Sequence, residues 1–413
     1  MQFLPPGFNL PLAWTVDFSF SLLIKFYQEI EDIEISPEDR SMLRELRDKR
    51  LVLLCNHPSI VEPAIAYYVG QKMGSRFQFM TSREIFDDLN GIMGKLIQGL
   101  GAFSASSGEE ARQTSRSILG VPGAKLALFP EGEPHTGEND ALWPLQADLL
   151  EFTLAGLDEA RKTEPGADIA ILPCFVKYAY TGTDPRIKSD LHVALKKLER
   201  IYSLEAGNKN ILRRFIALAR AYLSVAEKEY GLDHPDRKDF DYRSEKLRHA
   251  ILDKVASKLQ VPGYDDRADD TSKLRVHRRW LEQADLGRET GIPNLTKRKI
   301  DWARQECYRV HDFLVMRPER LISRPTAERF YEWLTRFELR TQNKSEYRTR
   351  KAIVNFASAF SLSEYCEEYK KDPAKGVASL SKRVRLDLER QLEMSIELSM
   401  PIVRPYDIGD DEI

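Results

Sequence analysis

The chain has 413 residues, 62 basic and 64 acidic, giving a formal net charge of −2, with seven histidines and four cysteines. That length suits two domains or one enlarged by insertions, and the balanced charge excludes a global basic surface for nucleic acid. Cys55, Cys174, Cys307 and Cys366 are far apart and form no CxxC or Cys/His ligand spacing, which argues against a disulfide framework or structural zinc and fits a reducing setting.

Taken in chain order, residues 1–30 are the most membrane-like segment. Phe8 to Tyr27 is apolar and aromatic, with Asp17, Ser21 and Lys25 recurring every fourth residue as a polar seam. No basic residue precedes Lys25, so the positive region of a signal peptide is missing. A spanning helix needs about 20 uncharged residues, so the segment predicts an amphipathic helix lying in the membrane interface. A buried core helix is the other reading.

From about Arg50 to about Leu198, short β-rich runs alternate with helical patterns: LVLLC, PAIAYYVGQK, FQFMT, GIMGKLIQGL, KLALFP, LQADLLEFTLAGLDEAR and DIAILPCFVKY. This alternation predicts an α/β domain over residues 31–200, a mixed sheet flanked by helices. Long charged segments of helical period follow, such as KNILRRFIALARAYLSVAEKEY and AERFYEWLTRFELR, and predict an all-helical extension over 201–400. In its last helix Val384, Leu388, Leu392 and Ile396 form an apolar stripe beside Lys382, Arg383, Arg385 and Arg390, which reads as core. GYDDRADDTS (263–272) reads as a linker and 401–413 as a disordered acidic tail.

The run Leu51–Cys55 ends abruptly in Asn56-His57-Pro58-Ser59, and Glu62 stands five positions after His57. Asn56 alone serves a turn, and Pro63 starts a helix, so His57 and Glu62 call for a reason of their own. A base held by its carboxylate supplies one, although seven histidines among 64 acids produce such spacings by chance. A second motif changes the odds: Lys125–Leu128 runs into Phe129-Pro130-Glu131-Gly132-Glu133-Pro134-His135, a strand opening into a loop. Two other chemistries stay open, a Ser–His covalent route through Ser59 and a metal site from His57, Glu62, Glu131 and His135.

In order and spacing these motifs resemble the glycerolipid acyltransferases of the lysophosphatidate acyltransferase type. Their NHxSxxD corresponds to residues 56–62 and their FPEGTRS to residues 129–135; a weaker second motif falls at Gly101 to Ser107 and a hydrophobic fourth at Ile171-Leu172-Pro173. The resemblance covers roughly residues 45–200. It implies a fatty acyl transfer from acyl-CoA or acyl carrier protein, as co-substrate, to a hydroxyl of a glycerolipid-like acceptor in phospholipid biosynthesis or remodelling. No cofactor or metal is implied, and the setting is the cytoplasmic face of a membrane, with the protein peripheral or monotopic. His57 is then the general base, Glu62 orients it, and Asn56, Ser59, Arg83, Phe129, Pro130, Glu131, Gly132 and Pro173 shape the substrate site. Amides of the 131–133 loop are candidate oxyanion donors. The rival reading is a degenerate, non-catalytic domain acting as a lipid-binding or scaffold module.

Three positions depart from the family pattern. Glu62 replaces an aspartate, Ser107 an arginine, and Glu133-Pro134 a Thr-Arg pair. The lost arginines are where the family holds the acceptor's phosphate, so phosphate recognition is in doubt. Arg83, Lys95, Arg112 and Arg116 are the remaining candidate anion contacts. With Glu131, Glu133, Glu138 and Asp140 in the loop, the expected acceptor head is neutral, zwitterionic or amine-bearing rather than a phosphomonoester.

Overall fold

Eight strands form one mixed sheet in the computed structural model, which describes residues 4–81, 86, 92–104, 108–132, 134, 141–232, 239–285 and 287–409. They are β1 (Ile30–Ile35), β2 (Leu51–Cys55), β3 (Gln78–Thr81), β4 (Ala102–Ser104), β5 (Lys125–Leu128), β6 (Ala170–Tyr180), β7 (Arg350–Phe356) and β8 (Phe360–Ser361), in the order β1-β7-β6-β2-β5-β3-β4, with β8 also beside β6. β2 lies parallel to both β5 and β6. Every residue of LVLLC is buried, as a central parallel strand covered on both faces requires.

The chain forms two units, Gln2–Thr181 with Arg348–Leu398, and Gly182–Tyr347 with Ser399–Ile413. In the first, helices α1 (Leu10–Gln28), α2 (Pro37–Glu45), α3 (Glu62–Met73), α4 (Ile92–Gly99), α5 (Gly108–Gly120) and α6 (Ala147–Thr163) accompany the strands. The second is built on α7 (Asp184–Ile201), α8 (Ile211–Glu229), α9 (Phe240–Leu259), α10 (Asp270–Asp285), α11 (Lys297–Val315), α12 (Pro318–Ser323) and α13 (Ala327–Gln342). Asn210, Asp239, Thr296 and Thr326 cap four of these helices, each accepting a backbone N–H three residues on. The chain then returns to the first unit through β7, β8, α14 (Cys366–Lys371) and α15 (Pro373–Ile396).

The pleat of β2 divides the core of the sheet unit. Leu51 and Leu53 pack with Val16, Phe20, Ile65 and Tyr178, whereas Val52 and Leu54 pack with Leu126, Leu150, Leu154, Ile171, Val384 and Leu388. Val384 and Leu388 are therefore core, as the apolar stripe of the last helix predicts. Pro173 interrupts β6 at no cost to the ladder. β7 pairs with Cys174–Tyr180 and β8 with Ala170 and Ile171, so the missing N–H of Pro173 falls between the two partners. Its carbonyl accepts the Ala357 N–H at 3.0 Å.

Several sequence expectations need correction here. The break expected at 200/201 lies at 181/182, because α7 belongs to the helical unit, and that unit is not continuous to 400 but runs to Tyr347 and resumes at Ser399. β7 has an alternating burial pattern in which Ala352, Val354 and Phe356 point into the core. Residues 263–272 connect consecutive helices of one unit rather than domains: Tyr264 donates to Asp253 at 2.6 Å, and Asp270 pairs with Arg248 at 2.6 Å. The segment 401–409 is not loose, since Ile402 is buried and donates its N–H to Pro325 O, and Tyr406 donates to Ile322 O, each at 3.0 Å. Residues 410–413 lie outside the described residues.

Helix α1 combines features of both readings of the first 30 residues. Ala13, Val16, Phe20 and Ile24 are buried on one side, and Asp17 is held by Arg76 and by Tyr67, each donating to Oδ1 at 2.8 Å. On the other side Leu10, Trp14, Phe18, Leu22 and Phe26, one per helical turn, are all more than half exposed, Phe18 at 96%. Among the described residues no helix is long and apolar enough to cross a membrane.

Candidate active site

Asn56 explains where β2 ends. Its side-chain amide extends the ladder by one unit, accepting the Val176 N–H at 2.7 Å and donating to Val176 O at 3.0 Å. The main chain is thereby released, and His57 leaves the sheet at the carboxyl edge of β2, the rim where open α/β sheets form ligand crevices.

Glu62 is the first residue of α3 and fully buried. Burying a carboxylate demands donors, and three converge on it. His57 Nδ1 lies 2.8 Å and the Ser59 N–H 3.0 Å from Oε2, while the Tyr178 hydroxyl donates to Oε1. A carboxylate at Nδ1 fixes the ring tautomer: Nδ1 carries the proton and Nε2 keeps its lone pair. Among the described residues nothing hydrogen-bonds Nε2. The ring stacks on Phe129, with centroids 4.7 Å apart and planes at 25°.

Glu131 is also buried, and its carboxylate works on the backbone. Oε1 accepts the His57 N–H at 2.7 Å and Oε2 the Trp143 N–H at 2.6 Å, so the residue staples the 56–59 turn to the segment after the loop. Pro130 O accepts the Gln146 N–H at 2.7 Å. Gly132 has φ +85°, a conformation other residues adopt only with strain, and a Cβ there would also displace the Gln146 side-chain amide, 1.7 Å away. Its N–H donates to Phe129 O at 2.8 Å. That bond removes the Gly132 amide from the expected set of oxyanion donors.

The site thus gathers His57, Glu62, Asn56, Ser59, Phe129, Pro130, Glu131 and Gly132. Pro173 serves the strand instead, through the backbone contacts already described. Arg83, Ser107, Glu133, His135, Glu138 and Asp140 lie outside the described residues. Of the other candidate anion contacts, Arg112 pairs with Glu151 at 2.7 Å, Arg116 with Glu159 at 3.2 Å, and Lys95 is exposed on α4. No hydrogen bond joins the Ser59 hydroxyl to the His57 ring among the described residues, as direct activation of a serine would require. Nor, among them, could any group of three His, Cys, Asp or Glu residues hold a metal ion.

Sequence reasoning passed over Tyr178, the third donor to Glu62. The signal was present in ILPCFVKY, because Tyr178 shares the parity of Cys174 and Val176 and so faces the same side of the sheet. Burial pushes the Tyr178 hydroxyl well above its ordinary pKa and the Glu62 charge pushes it further, while Arg350 opposes them. The phenol therefore stays a neutral donor. Burial also raises the Cys55 thiol, next to Cys174, leaving it an unreactive core group. No protein-family model matches the chain, and no curated protein shows significant similarity to it.

Proposed function

We propose that the protein is an acyltransferase that moves a fatty acyl chain from an acyl thioester, acyl-CoA or acyl carrier protein, to a hydroxyl of a glycerolipid-like acceptor. The observation that carries this reading is the 2.8 Å contact between His57 Nδ1 and a fully buried Glu62, with Nε2 free of hydrogen bonds among the described residues. An alcohol at neutral pH is a poor nucleophile, and a histidine is the side chain suited to take its proton. Nε2 accepts the hydroxyl proton as the oxygen attacks the thioester carbonyl. Glu62 stabilises the imidazolium that forms, as the carboxylate of a hydrolase triad does. Collapse of the tetrahedral intermediate breaks the carbon–sulfur bond, and the proton passes from Nε2 to the departing thiolate.

A membrane surface is the natural source of such an acceptor. The aromatic stripe of α1 and the exposed Ile60, three residues from His57, are apolar surface that water does not favour and an interface does. The test is direct: purified protein, a labelled acyl thioester and a panel of acceptor alcohols, with products resolved by mass. An acylated alcohol formed by the wild type and lost in His57→Ala supports the reading. Equal product from both proteins, or none with any acceptor, overturns it.

A further inference from the structure

Arg350 opens β7 with its guanidinium carbon 4.5 Å from the centroid of the Tyr178 ring. It is part-buried, its Nε is shielded from solvent without a hydrogen-bond partner, and among the described residues no carboxylate pairs with it. Arg76, by contrast, holds Asp17, and Lys351, next on the strand and facing the opposite side of the sheet, meets Glu34 at 2.9 Å. A half-buried guanidinium with one shielded N–H unpaired gains from an anion at its remaining, accessible donors. Stacking on Tyr178 compensates only in part, so the group is poised for an anion that no described residue supplies.

Strand register brings Arg350 to the rim that carries His57. Cys174 of β6 lies opposite Cys55, and further along β6 Tyr180 lies opposite Arg350 of antiparallel β7. β7 is two strands from β2, and Tyr180 lies six residues past Cys174, about 20 Å along β6 at the usual rise, so the tie to the site runs through side chains. Arg350 also has the parity of Ala352 and Val354, which share the core cluster of Tyr178, so it stands on the side of the sheet where Glu62 meets Tyr178. Tyr178 makes that tie, its ring carrying the guanidinium and its hydroxyl donating to the Glu62 carboxylate that holds His57. The loop acids oppose an anion less than their number implies, because Glu131 turns both oxygens to backbone N–H groups.

We propose that Arg350, with Tyr178 as the platform beneath its guanidinium, binds a phosphate group of a substrate. A planar guanidinium suits phosphate by its paired donors. The phosphate belongs to the acceptor lipid or to coenzyme A; its catalytic meaning rests on the acyl transfer proposed above. An acceptor phosphate would reverse the expectation of a neutral or zwitterionic head, through a residue outside the motifs.

Equilibrium binding to the full chain by calorimetry tests this, with water-soluble 1-hexanoyl-glycerol 3-phosphate, its phosphate-free counterpart 1-hexanoyl-glycerol, and coenzyme A as probes. Arg350→Ala should weaken the phosphorylated lipid about ten- to a hundredfold, as loss of charged hydrogen bonds does, and leave the neutral ester unchanged. Arg350→Lys should recover part of the loss. A fall confined to coenzyme A would assign the phosphate to the donor. Unchanged affinity for both phosphate ligands, failure of the wild type to bind either, or an equal fall for the neutral ester would each overturn the site. Arg350→Gln, which keeps the stem over Tyr178, replaces the alanine variant if that one fails to fold. Because the readout is binding, Arg350-dependent affinity without turnover would sink the transferase reading alone, and turnover without Arg350-dependent affinity would sink the site alone.

Discussion

The helical unit and the His57 site of the sheet unit treat a buried carboxylate in opposite ways. In the helical unit three are matched by arginine: Arg214 grips Glu199 with two bonds of 2.6 and 2.7 Å, Arg243 grips Glu227 at 3.0 and 2.5 Å, and Arg340 reaches Asp312 at 2.6 Å. In the sheet unit Glu62 is fully buried and, among the described residues, no lysine or arginine pairs with it; its donors are an imidazole, a phenol and an amide. A carboxylate neutralised by guanidinium is a structural fixture. One held by uncharged donors keeps its field for a cation that forms beside it, the imidazolium of a working base. The contrast sets the proposed orienting acid apart from the arginine-paired ones without reference to any motif.

The strongest way to break that contrast is at His57. His57→Ala should lower acyl transfer by about 10²–10⁴-fold, the usual worth of general-base catalysis. The thermal midpoint should stay within a few degrees, since the ring lies at a strand end against Phe129. For Glu62 charge should matter more than length. Glu62→Gln turns an amide NH2 toward one of three donors and removes the charge, whereas Glu62→Asp keeps the charge and loses reach, so aspartate should retain clearly more turnover. Equal loss in the two variants would show that geometry alone matters at this position.

The structural side of the comparison predicts the reverse pattern. Glu199→Ala leaves Arg214 buried without its carboxylate, with only His192 Nδ1 at 2.7 Å, and should cost about 3–5 kcal/mol in urea unfolding. Turnover per folded molecule should be unchanged. The double variant Glu199→Leu with Arg214→Met should recover most of the stability, because a buried ion pair replaced by apolar volume is often nearly neutral. A single-variant cost below about 1 kcal/mol would mean that the pair behaves as a surface one.

How much of this was legible in the sequence follows from the range of each interaction. The parallel strands from Leu51 to Leu128 announce themselves through local apolar runs, and Asn56, His57 and Glu62 fall within one turn of chain, so their proximity could be read directly. β1 and β7 pair with each other across more than 300 residues, Ile33 opposite Ala352. IEDIEI and RKAIVNF are too short and too charged to look like sheet until the partner is known. Tyr178 and Arg350 join the site by the same long-range register, which no local pattern carries. The fate of the Gly132 amide likewise depends on a turn bond to Phe129 O, and a sequence shows only that the glycine is present.

The α1 stripe gives a smaller effect. Trp14→Ser with Phe18→Ser removes two exposed aromatic rings from one face, and vesicle binding measured by sedimentation should fall at least about tenfold, since burying one such side chain is worth about 1.5–3 kcal/mol. Unfolding in detergent-free buffer should be unchanged, because neither ring contributes to the core. Vesicle binding equal to that of the wild type would assign the interface elsewhere.

The smallest expected effect lies at the opposite face of the same helix. Burial works to raise the Asp17 carboxyl, but hydrogen bonds from Arg76 and Tyr67, with the Arg76 charge, outweigh it and hold the group below its ordinary value of 3.8. A carboxyl whose folded pKa is depressed adds stability that is complete above the unfolded value. That stability is lost as the pH falls from about 4 through the folded pKa. Asp17 is part-exposed, so Asp17→Asn should cost only about 1 kcal/mol at pH 7. The gap between wild type and variant should then close on acidification below pH 4, where the wild-type carboxyl also takes up a proton. Denaturant titrations of both proteins at pH 7, 5 and 3 measure the gap directly. If it persists at pH 3, the asparagine disturbs the packing of α1 on α3, and the ion pair is not what holds that face of the helix down while its aromatic face stays free.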